Sequence, residues 1–138
     1  MHNKERHADF FNNISQGHFP ALLGIQIIEV EEGKIRGEMA IQKSFLAPNG
    51  YLHAGSVISF ADTLAGYATV AHLPEKAKSF TTIELKSNFL GTKREGKLIA
   101  DCSAEHLGRT THIWRVIVRD EDTKKKLALF SCTQLIIY

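Results

Sequence analysis

The chain has 138 residues, of which 43% are hydrophobic and 23% are charged, with a formal net charge of +2. This composition is typical of a single globular domain with one core and excludes a disordered chain. No apolar run approaches the roughly 18 residues that span a bilayer, and the polar N-terminus lacks the apolar segment of a signal peptide. We therefore expect a cytoplasmic protein with no membrane partner.

Basic residues concentrate in the second half of the chain, where residues 76–126 contain twelve Lys and Arg against seven Asp and Glu. A nucleic-acid-binding protein would show a more concentrated basic face, so no nucleic acid is expected as a partner. The excess suits either a ligand with a few phosphates or a solvated sheet surface. No metal is expected, since the His residues are scattered, and Cys102 and Cys132 are interpreted as small buried residues.

The first elements are short. Residues 7–19 space their apolar side chains near the helical period, so residues 1–19 are predicted to form a helical segment that Gly17 stops. Residues 17–20 are interpreted as the turn that ends it. Residues 25–42 form two short runs around Glu32 and Gly33, which predicts a β-hairpin.

A long apolar helix is predicted at residues 53–72. Pro74 disfavours helical geometry in the residue before it, so the helix should end near His72. Its length is then about 28 Å. The helical period gathers an apolar band, formed by Val57, Ile58, Ala61, Leu64, Ala65, Ala68 and Ala71. This band requires a sheet to cover it.

Four strand-like runs complete the chain, at residues 79–90, 96–107, 111–121 and 125–138. In the first run, alternation places Ile83, Leu85 and Phe89 on one face and Thr82, Glu84, Lys86 and Asn88 on the other. The order of two strands, one helix and four strands predicts a single α+β domain over residues 1–138, with a five- to six-stranded antiparallel sheet around the central helix.

Asp62 interrupts the apolar helix, with no Lys or Arg within ten residues on either side. A buried carboxylate is costly unless it is paired, hydrogen-bonded or used. It lies in a row of small side chains formed by Gly55, Ser59, Asp62, Gly66 and Thr69. Because Gly in a helix costs roughly 1 kcal/mol relative to Ala, we expect another chain or a ligand to approach this row. The alternative is that Asp62 only hydrogen-bonds a strand within the fold.

The start of the helix offers a second functional feature. Asn49, Gly50 and His53 precede free backbone N–H groups, whose positive potential suits a developing oxyanion. An acyl carbonyl held there is expected to lie within reach of Asp62, two turns further on. A lone His at a helix start is usually a cap or a packed side chain, but the neighbouring features make His53 a catalytic candidate here.

These residues resemble the hotdog-fold acyl-CoA thioesterases of the 4-hydroxybenzoyl-CoA thioesterase superfamily, and most of all the phenylacetyl-CoA thioesterase (PaaI-like) branch. That branch has the motif Asn…Gly-x-x-His-Gly-Gly, with Asp nine residues after the His. Here NGYLHAG supplies Asn49, His53, Ala54 and Gly55, and Asp62 is nine residues after His53. Ala54 replaces the first Gly of the motif, and the spacing from Asn49 to His53 is shorter than in much of the family. TIELKSNFL and HLGRTTHIWRVIV also resemble family strands.

The resemblance implies catalytic roles. Asp62 would be the nucleophile or general base, and Asn49 would orient water or the carbonyl. The backbone N–H of Ala54 or Gly55 would polarise the thioester oxygen. Thr82, on the third strand across a dimer, would position the water.

The resemblance also implies a homodimer, often a dimer of dimers, with active sites at the interface. The substrate would be a small acyl- or aryl-CoA, hydrolysed to the free acid and coenzyme A, so no separate cofactor is expected. The candidates for contact with coenzyme A are Lys86, Lys93, Arg94 and Arg109. Two other functions remain open: a non-catalytic acyl-CoA binding module, and a hydratase or dehydratase of the same fold in which His53 would act.

Overall fold

In a computed structural model, which describes residues 2–138, one antiparallel sheet packs against a long helix. The helices are α1 (Ala8–Ile14), α2 (Phe19–Leu22) and α3 (Ala54–Ala71), and the strands are β1 (Gln26–Glu31), β2 (Lys34–Ala40), β3 (Ser79–Phe89), β4 (Lys97–Leu107), β5 (Thr111–Asp120) and β6 (Lys126–Ile137). The six strands follow the order β1-β2-β4-β5-β6-β3. The predicted α+β architecture is confirmed. Within residues 2–138, no helix is long and apolar enough to cross a membrane.

The central helix α3 lies where the sequence predicts it. His53 caps its first turn and Ala71 is its last residue. The apolar band faces the sheet, and its fully buried members are Ala61, Leu64, Ala65, Ala68 and Ala71. The approach is close, since a Cβ at Gly37 on β2 would lie 3.0 Å from Leu64 Cδ1. The helix is therefore held by the packing of small side chains against the middle of the sheet.

The hairpin formed by β1 and β2 is also confirmed, with Gly33 in its turn at a φ of +73°. The Gly33 N–H donates to Nε2 of His72, which follows α3, at 2.8 Å. His72 Nδ1 lies 2.7 Å from the Ala68 carbonyl oxygen. Since Nε2 accepts and Nδ1 donates, His72 is a neutral imidazole that ties the hairpin to the end of α3.

The N-terminal segment differs from the prediction in one respect. Gly17 reverses the chain with a φ of +78°, but residues 17–20 do not simply end the segment. Pro20 lies in the first turn of the second helix, α2. Proline is tolerated there because N–H groups of the first turn have no acceptor within the helix. The side chain of Asn12 on α1 bonds both the N–H and the carbonyl of Ile27, at 2.8 and 2.9 Å. These bonds fix α1 to the first strand.

The edge strand β3 carries a β-bulge that its sequence alternation does not reveal. Its pairing with β6 shifts register between Thr82 and Glu84, so Ile83 is an extra residue and the strand changes face there. Thr82 and Leu85 pair with two buried residues of β6 and both lie on the side of α3. The prediction that Thr82 shares a face with Glu84 and Lys86, opposite Leu85, is therefore wrong.

Candidate active site

Asp62 lies half-buried in the middle of α3 and contacts β3 of its own chain. The Thr82 hydroxyl oxygen is 3.3 Å from Asp62 Oδ1. Burial raises the pKa of Asp62 above its ordinary value, and the Thr82 hydroxyl opposes this rise. No ion pair with Asp62 is found among residues 2–138. A carboxylate whose pKa is raised is a stronger base than an ordinary aspartate.

The position of Thr82 corrects one expectation and meets another. The resemblance placed Thr82 across a dimer from the carboxylate, but the bulge in β3 turns it toward Asp62 within the chain. The alternative expectation, that Asp62 hydrogen-bonds a strand of its own fold, is met at Oδ1. This bond supports the carboxyl group and is compatible with a catalytic role.

Two residues of β6 extend this cluster, and sequence reasoning missed their connection to Asp62. Gln134 is fully buried, and its Oε1 lies 2.7 Å from the Thr82 hydroxyl oxygen. Its Nε2 lies 3.5 Å from Cys132 Sγ. Burial raises the pKa of the Cys132 thiol to about 12, and the nearby Asp62 charge adds to the rise. The signal for Gln134 was present, since it alternates with the apolar residues Cys132 and Ile136 on a strand.

Other residues of the same chain occupy part of the space beside the row of small side chains. A Cβ at Gly66 would lie 3.1 Å from Phe80 Cζ on β3. Thr69 is buried, and its Oγ1 accepts the Trp114 Nε1–H at 2.8 Å. The expectation that another chain or a ligand approaches the whole row is therefore wrong for this half. Gly55 and Ser59, at the other end, line an open groove.

The start of α3 is capped by its own histidine. His53 Nδ1 accepts the Gly55 N–H at 2.8 Å, which engages one of the two predicted oxyanion donors. Ala54 N–H has no acceptor in the part of the chain that the structure describes. Ala54 therefore provides the free donor at this helix end, and His53 acts as a cap.

Asn49 uses its side chain within its own turn. It is exposed, and Oδ1 accepts the Tyr51 N–H at 3.1 Å. Such a bond fixes the loop before α3. The structure thus places Asn49 in this loop and shows no hydrogen bond between Asn49 and Asp62 among residues 2–138.

The free donor and the carboxyl group are far apart within one chain. Ala54 is the first residue of α3, and Asp62 follows eight residues later on a regular helix. At 1.5 Å per residue, their positions differ by about 12 Å along the axis. A donor, a thioester carbonyl, an attacking water and a carboxylate in line span about 10 Å. The expectation that one carbonyl reaches both groups stays a prediction, and the spacing along the helix does not favour it within a single chain.

An open groove of about 450 Å³ lies beside the start of α3. Its walls combine apolar side chains from the segment before the helix with small residues of α3, namely Phe19, Leu22, Leu23, Gln42, Ser44, Phe45, His53, Gly55, Ser56 and Ser59. Phe19 and Leu22 are 55% and 74% exposed, so this wall is apolar and open. The groove can receive an apolar group whose carbonyl is directed at Ala54.

Residues 49–126 match the family model of the thioesterase superfamily, which covers more than half of the chain. The chain belongs to this superfamily. It is 31% identical to a 1,4-dihydroxy-2-naphthoyl-CoA hydrolase of Listeria monocytogenes over 111 residues, which are 80% of this chain and 89% of that relative. The predicted PaaI-like family and the prediction of a thioester hydrolase are confirmed.

Solved thioesterase structures share the fold. A mutant thioesterase from Pseudomonas aeruginosa superposes with a TM-score of 0.88 at 25% identity, covering 94% of this chain and 93% of that one. The PaaI protein of E. coli superposes with a TM-score of 0.78 at 25% identity, covering 86% and 83%. The predicted hotdog fold is confirmed, and proteins of this superfamily act on acyl-CoA substrates.

The four basic residues proposed to meet coenzyme A occupy different parts of this thioesterase. Lys93 is paired with Asp120 and Asp122, at 2.5 and 3.1 Å. Arg94 lies over the Tyr51 ring, 4.8 Å from its centroid, beside the start of α3. Lys86 lies on β3, and Arg109 lies in the turn between β4 and β5. The structure therefore does not gather the four into one cluster.

The other two basic residues lie away from the helix start. Lys86 is on the face of β3 opposite α3, since the bulge separates it from Thr82. Arg109 lies in the turn between β4 and β5, where its carbonyl accepts the Tyr138 hydroxyl at 2.7 Å. Among the four, Arg94 is the one that lies beside the loop before α3, because it contacts the Tyr51 ring.

Proposed function

We propose that this thioesterase hydrolyses a small acyl- or aryl-CoA to the free acid and coenzyme A, with Asp62 as nucleophile or general base. The observation that carries the proposal is the half-buried Asp62, which has a raised pKa and a Thr82 partner and lies in the central helix of a thioesterase. The aryl option is supported by the relative named 1,4-dihydroxy-2-naphthoyl-CoA hydrolase.

Two routes use the same groups. As a general base, Asp62 takes a proton from water while that water attacks the thioester carbon, and the C–S bond then breaks to release the coenzyme A thiolate. As a nucleophile, Asp62 attacks the carbon itself and expels the thiolate, and water hydrolyses the resulting anhydride. In both routes the carbonyl oxygen becomes negative and needs a donor, for which Ala54 N–H is free.

We propose that the active unit contains two copies of the chain, with Asp62 of one copy opposite Ala54 of the other. The separation of about 12 Å along α3 supports this arrangement, because it exceeds the span of about 10 Å that one carbonyl and its attacking water bridge. The edge position of β3 supports it as well. This strand has eleven residues, and its Ile83 and Phe89 are 56% and 46% exposed. Such an edge favours pairing with another strand.

Arg94 is the basic residue that we propose to meet a phosphate of coenzyme A. It lies over the Tyr51 ring in the loop that follows β3. That loop is fixed to the start of α3, since the Leu52 N–H donates to Thr92 Oγ1 at 3.2 Å. The pantetheine arm of coenzyme A would then run from this loop to the thioester held by Ala54. Coenzyme A should then compete with substrate, and binding should weaken with salt.

The activity is tested by measuring free thiol released from a panel of short, medium-chain and aromatic acyl-CoAs. We expect release from at least one member, with coenzyme A as a competitive inhibitor. A protein that binds these thioesters without releasing thiol would be the non-catalytic module, and the proposal would be wrong.

The two-copy site is tested by mixing two inactive variants. Asp62→Asn removes the base, and Ala54→Pro removes the N–H at the first helical position, where Pro is well tolerated. In a mixed dimer, one of the two sites has both intact groups. Random exchange at equal concentrations should therefore restore about a quarter of the parent activity. If the site lies within one chain, mixing restores nothing.

A further inference from the structure

Gln134 is a buried polar side chain to which the proposed mechanism assigns no role. It is fully buried on β6 and lies directly opposite Thr82 on β3. Burial of an amide on an otherwise apolar face is costly unless its groups are used. Both ends of this amide have a partner: Oε1 faces the Thr82 hydroxyl and Nε2 faces Cys132 Sγ.

The Thr82 hydroxyl has one proton and two acceptors. Its oxygen lies 2.7 Å from Gln134 Oε1 and 3.3 Å from Asp62 Oδ1. The shorter contact is the stronger hydrogen bond, so the proton is directed at Gln134. The contact with Asp62 Oδ1 is then the weaker of the two, so the carboxylate receives only part of the stabilisation that an undivided hydroxyl would give it. Because Nε2 faces Cys132 Sγ, the amide keeps its oxygen toward Thr82.

We propose that Gln134 is a positioning residue that withholds the Thr82 proton from the Asp62 carboxylate and so keeps Asp62 a strong base. A carboxylate that accepts fewer hydrogen bonds is less stabilised in its charged form and takes up a proton more readily. The consequence for catalysis rests on the proposed function, in which Asp62 is the reacting group. The competition for the proton exists whether or not the protein turns over a thioester.

The titratable groups around this cluster keep a constant charge near neutral pH. Cys132 on β6 has its thiol pKa raised to about 12 by burial. His112 on β5 pairs with Gln134, and burial lowers the pKa of His112 to about 4. Glu84 on β3 lies on the opposite face of the sheet. Asp62 is the one charged residue of α3, and its own carboxyl carbon reports its titration separately from that of His112.

The test compares the pKa of Asp62 in the parent and in Gln134→Met, which removes the acceptor at similar side-chain volume. The pKa is measured from the ¹³C shift of the Asp62 carboxyl carbon by NMR. Thr82 should then donate to Asp62, and the pKa should fall by about one pH unit, the worth of one hydrogen bond to a charged group. The acid limb of the kcat/KM profile should move by the same amount.

The connection through Thr82 is tested in a double-mutant cycle. In a Thr82→Val background, Gln134→Met should leave the Asp62 pKa unchanged, because no hydroxyl proton remains to redirect. Thr133→Val on the outer face of β6 is the control and should not move the pKa in the parent. Gln134→Leu provides the same loss of acceptor if Gln134→Met does not fold.

The inference is overturned if the Asp62 pKa stays constant or rises in both Gln134 variants, or if it falls equally with and without the Thr82 hydroxyl. The NMR titration needs no turnover. A protein inactive toward all thioesters, in which the pKa still falls, would therefore contradict the proposed function and support the role of Gln134.

Discussion

The two halves of α3 differ in how their polar groups are used. Beyond Gly66, Thr69 accepts from Trp114 and His72 accepts from the Gly33 N–H, so both of these buried side chains have a partner. Before that point, Ala54 N–H has no acceptor among residues 2–138, and burial raises the pKa of Asp62. Satisfied groups stabilise a fold, whereas exposed donors and perturbed acids are typical of reactive sites. One helix thus carries a structural half and a reactive half.

The largest expected effect lies in the reactive half. Asp62→Asn should lower kcat by roughly a hundred- to ten-thousand-fold, the range for a lost positioned base, and should change KM much less. Steady-state kinetics on the best thioester of the panel measures both parameters. The fold should persist, because the two side chains are nearly isosteric and Asn still hydrogen-bonds Thr82.

Asn49→Ala is the comparison for Asp62→Asn, since Asn49 lies in the loop just before α3. It should cost less activity than Asp62→Asn, since the Asn49 side chain bonds the Tyr51 N–H and makes no hydrogen bond to Asp62. Near-parent turnover by Asp62→Asn, with the fold intact by circular dichroism, would show that Asp62 is structural and would remove the distinction between the halves.

The next effect concerns pH and two buried histidines, His112 on β5 and His72 at the end of α3. Burial lowers the pKa of His112 from 6.5 to about 4, and it also lowers the pKa of His72. As the pH falls below 6.5, the unfolded chain binds protons that the folded chain excludes. The stabilisation is therefore complete above pH 6.5 and is lost toward pH 4, by about 3 kcal/mol for His112.

Urea unfolding between pH 8 and pH 4 measures this loss. His112→Gln is the control, since it removes the largest of these titrations and should flatten the curve. A stability that stays constant from pH 6.5 to pH 4.5 would show that these histidines are not held neutral by the fold.

The smallest expected effect separates stability from activity. Thr69→Val leaves the buried Trp114 Nε1–H without an acceptor, which should cost about 1–3 kcal/mol of unfolding free energy. The kcat value should stay within about twofold of the parent, because Thr69 is two turns beyond Asp62. Urea unfolding and the free-thiol assay measure the two quantities.

Thr63→Val provides the comparison on the same helix. The Thr63 hydroxyl donates only to the Ser59 carbonyl of its own helix, so its loss should cost less stability than the loss of Thr69. If Thr69→Val lowers kcat as strongly as Asp62→Asn does, the far half of α3 is not merely structural.

The local features of the fold were predictable from sequence. The bounds of α3 follow from an apolar band, a capping residue and Pro74, which act over a few residues each. The β-hairpin follows from two short runs around Gly33. Asp62 could be singled out because a charge in an apolar helix is anomalous wherever that helix lies.

The features that were missed depend on residues far apart in the chain. The bulge at Ile83 is defined by pairing with β6, some fifty positions later, and no alternation within β3 reports it. The contact between Thr82 and Gln134 depends on the same register. The engagement of the Gly55 N–H by His53 depends on one side-chain rotamer, which sequence patterns do not specify.

The bulge in β3 has a consequence for how such a strand can change during evolution. Because Ile83 is an extra residue, the side-chain alternation shifts by one position there. Thr82 and Leu85 therefore lie on the same face although they are three residues apart. Deletion of this one residue would restore a regular strand with Thr82 and Leu85 still on the side of α3, whereas a regular strand that kept Ile83 would place them on opposite faces. The bulge therefore lets this strand absorb a one-residue insertion or deletion without losing the contact between Thr82 and Asp62.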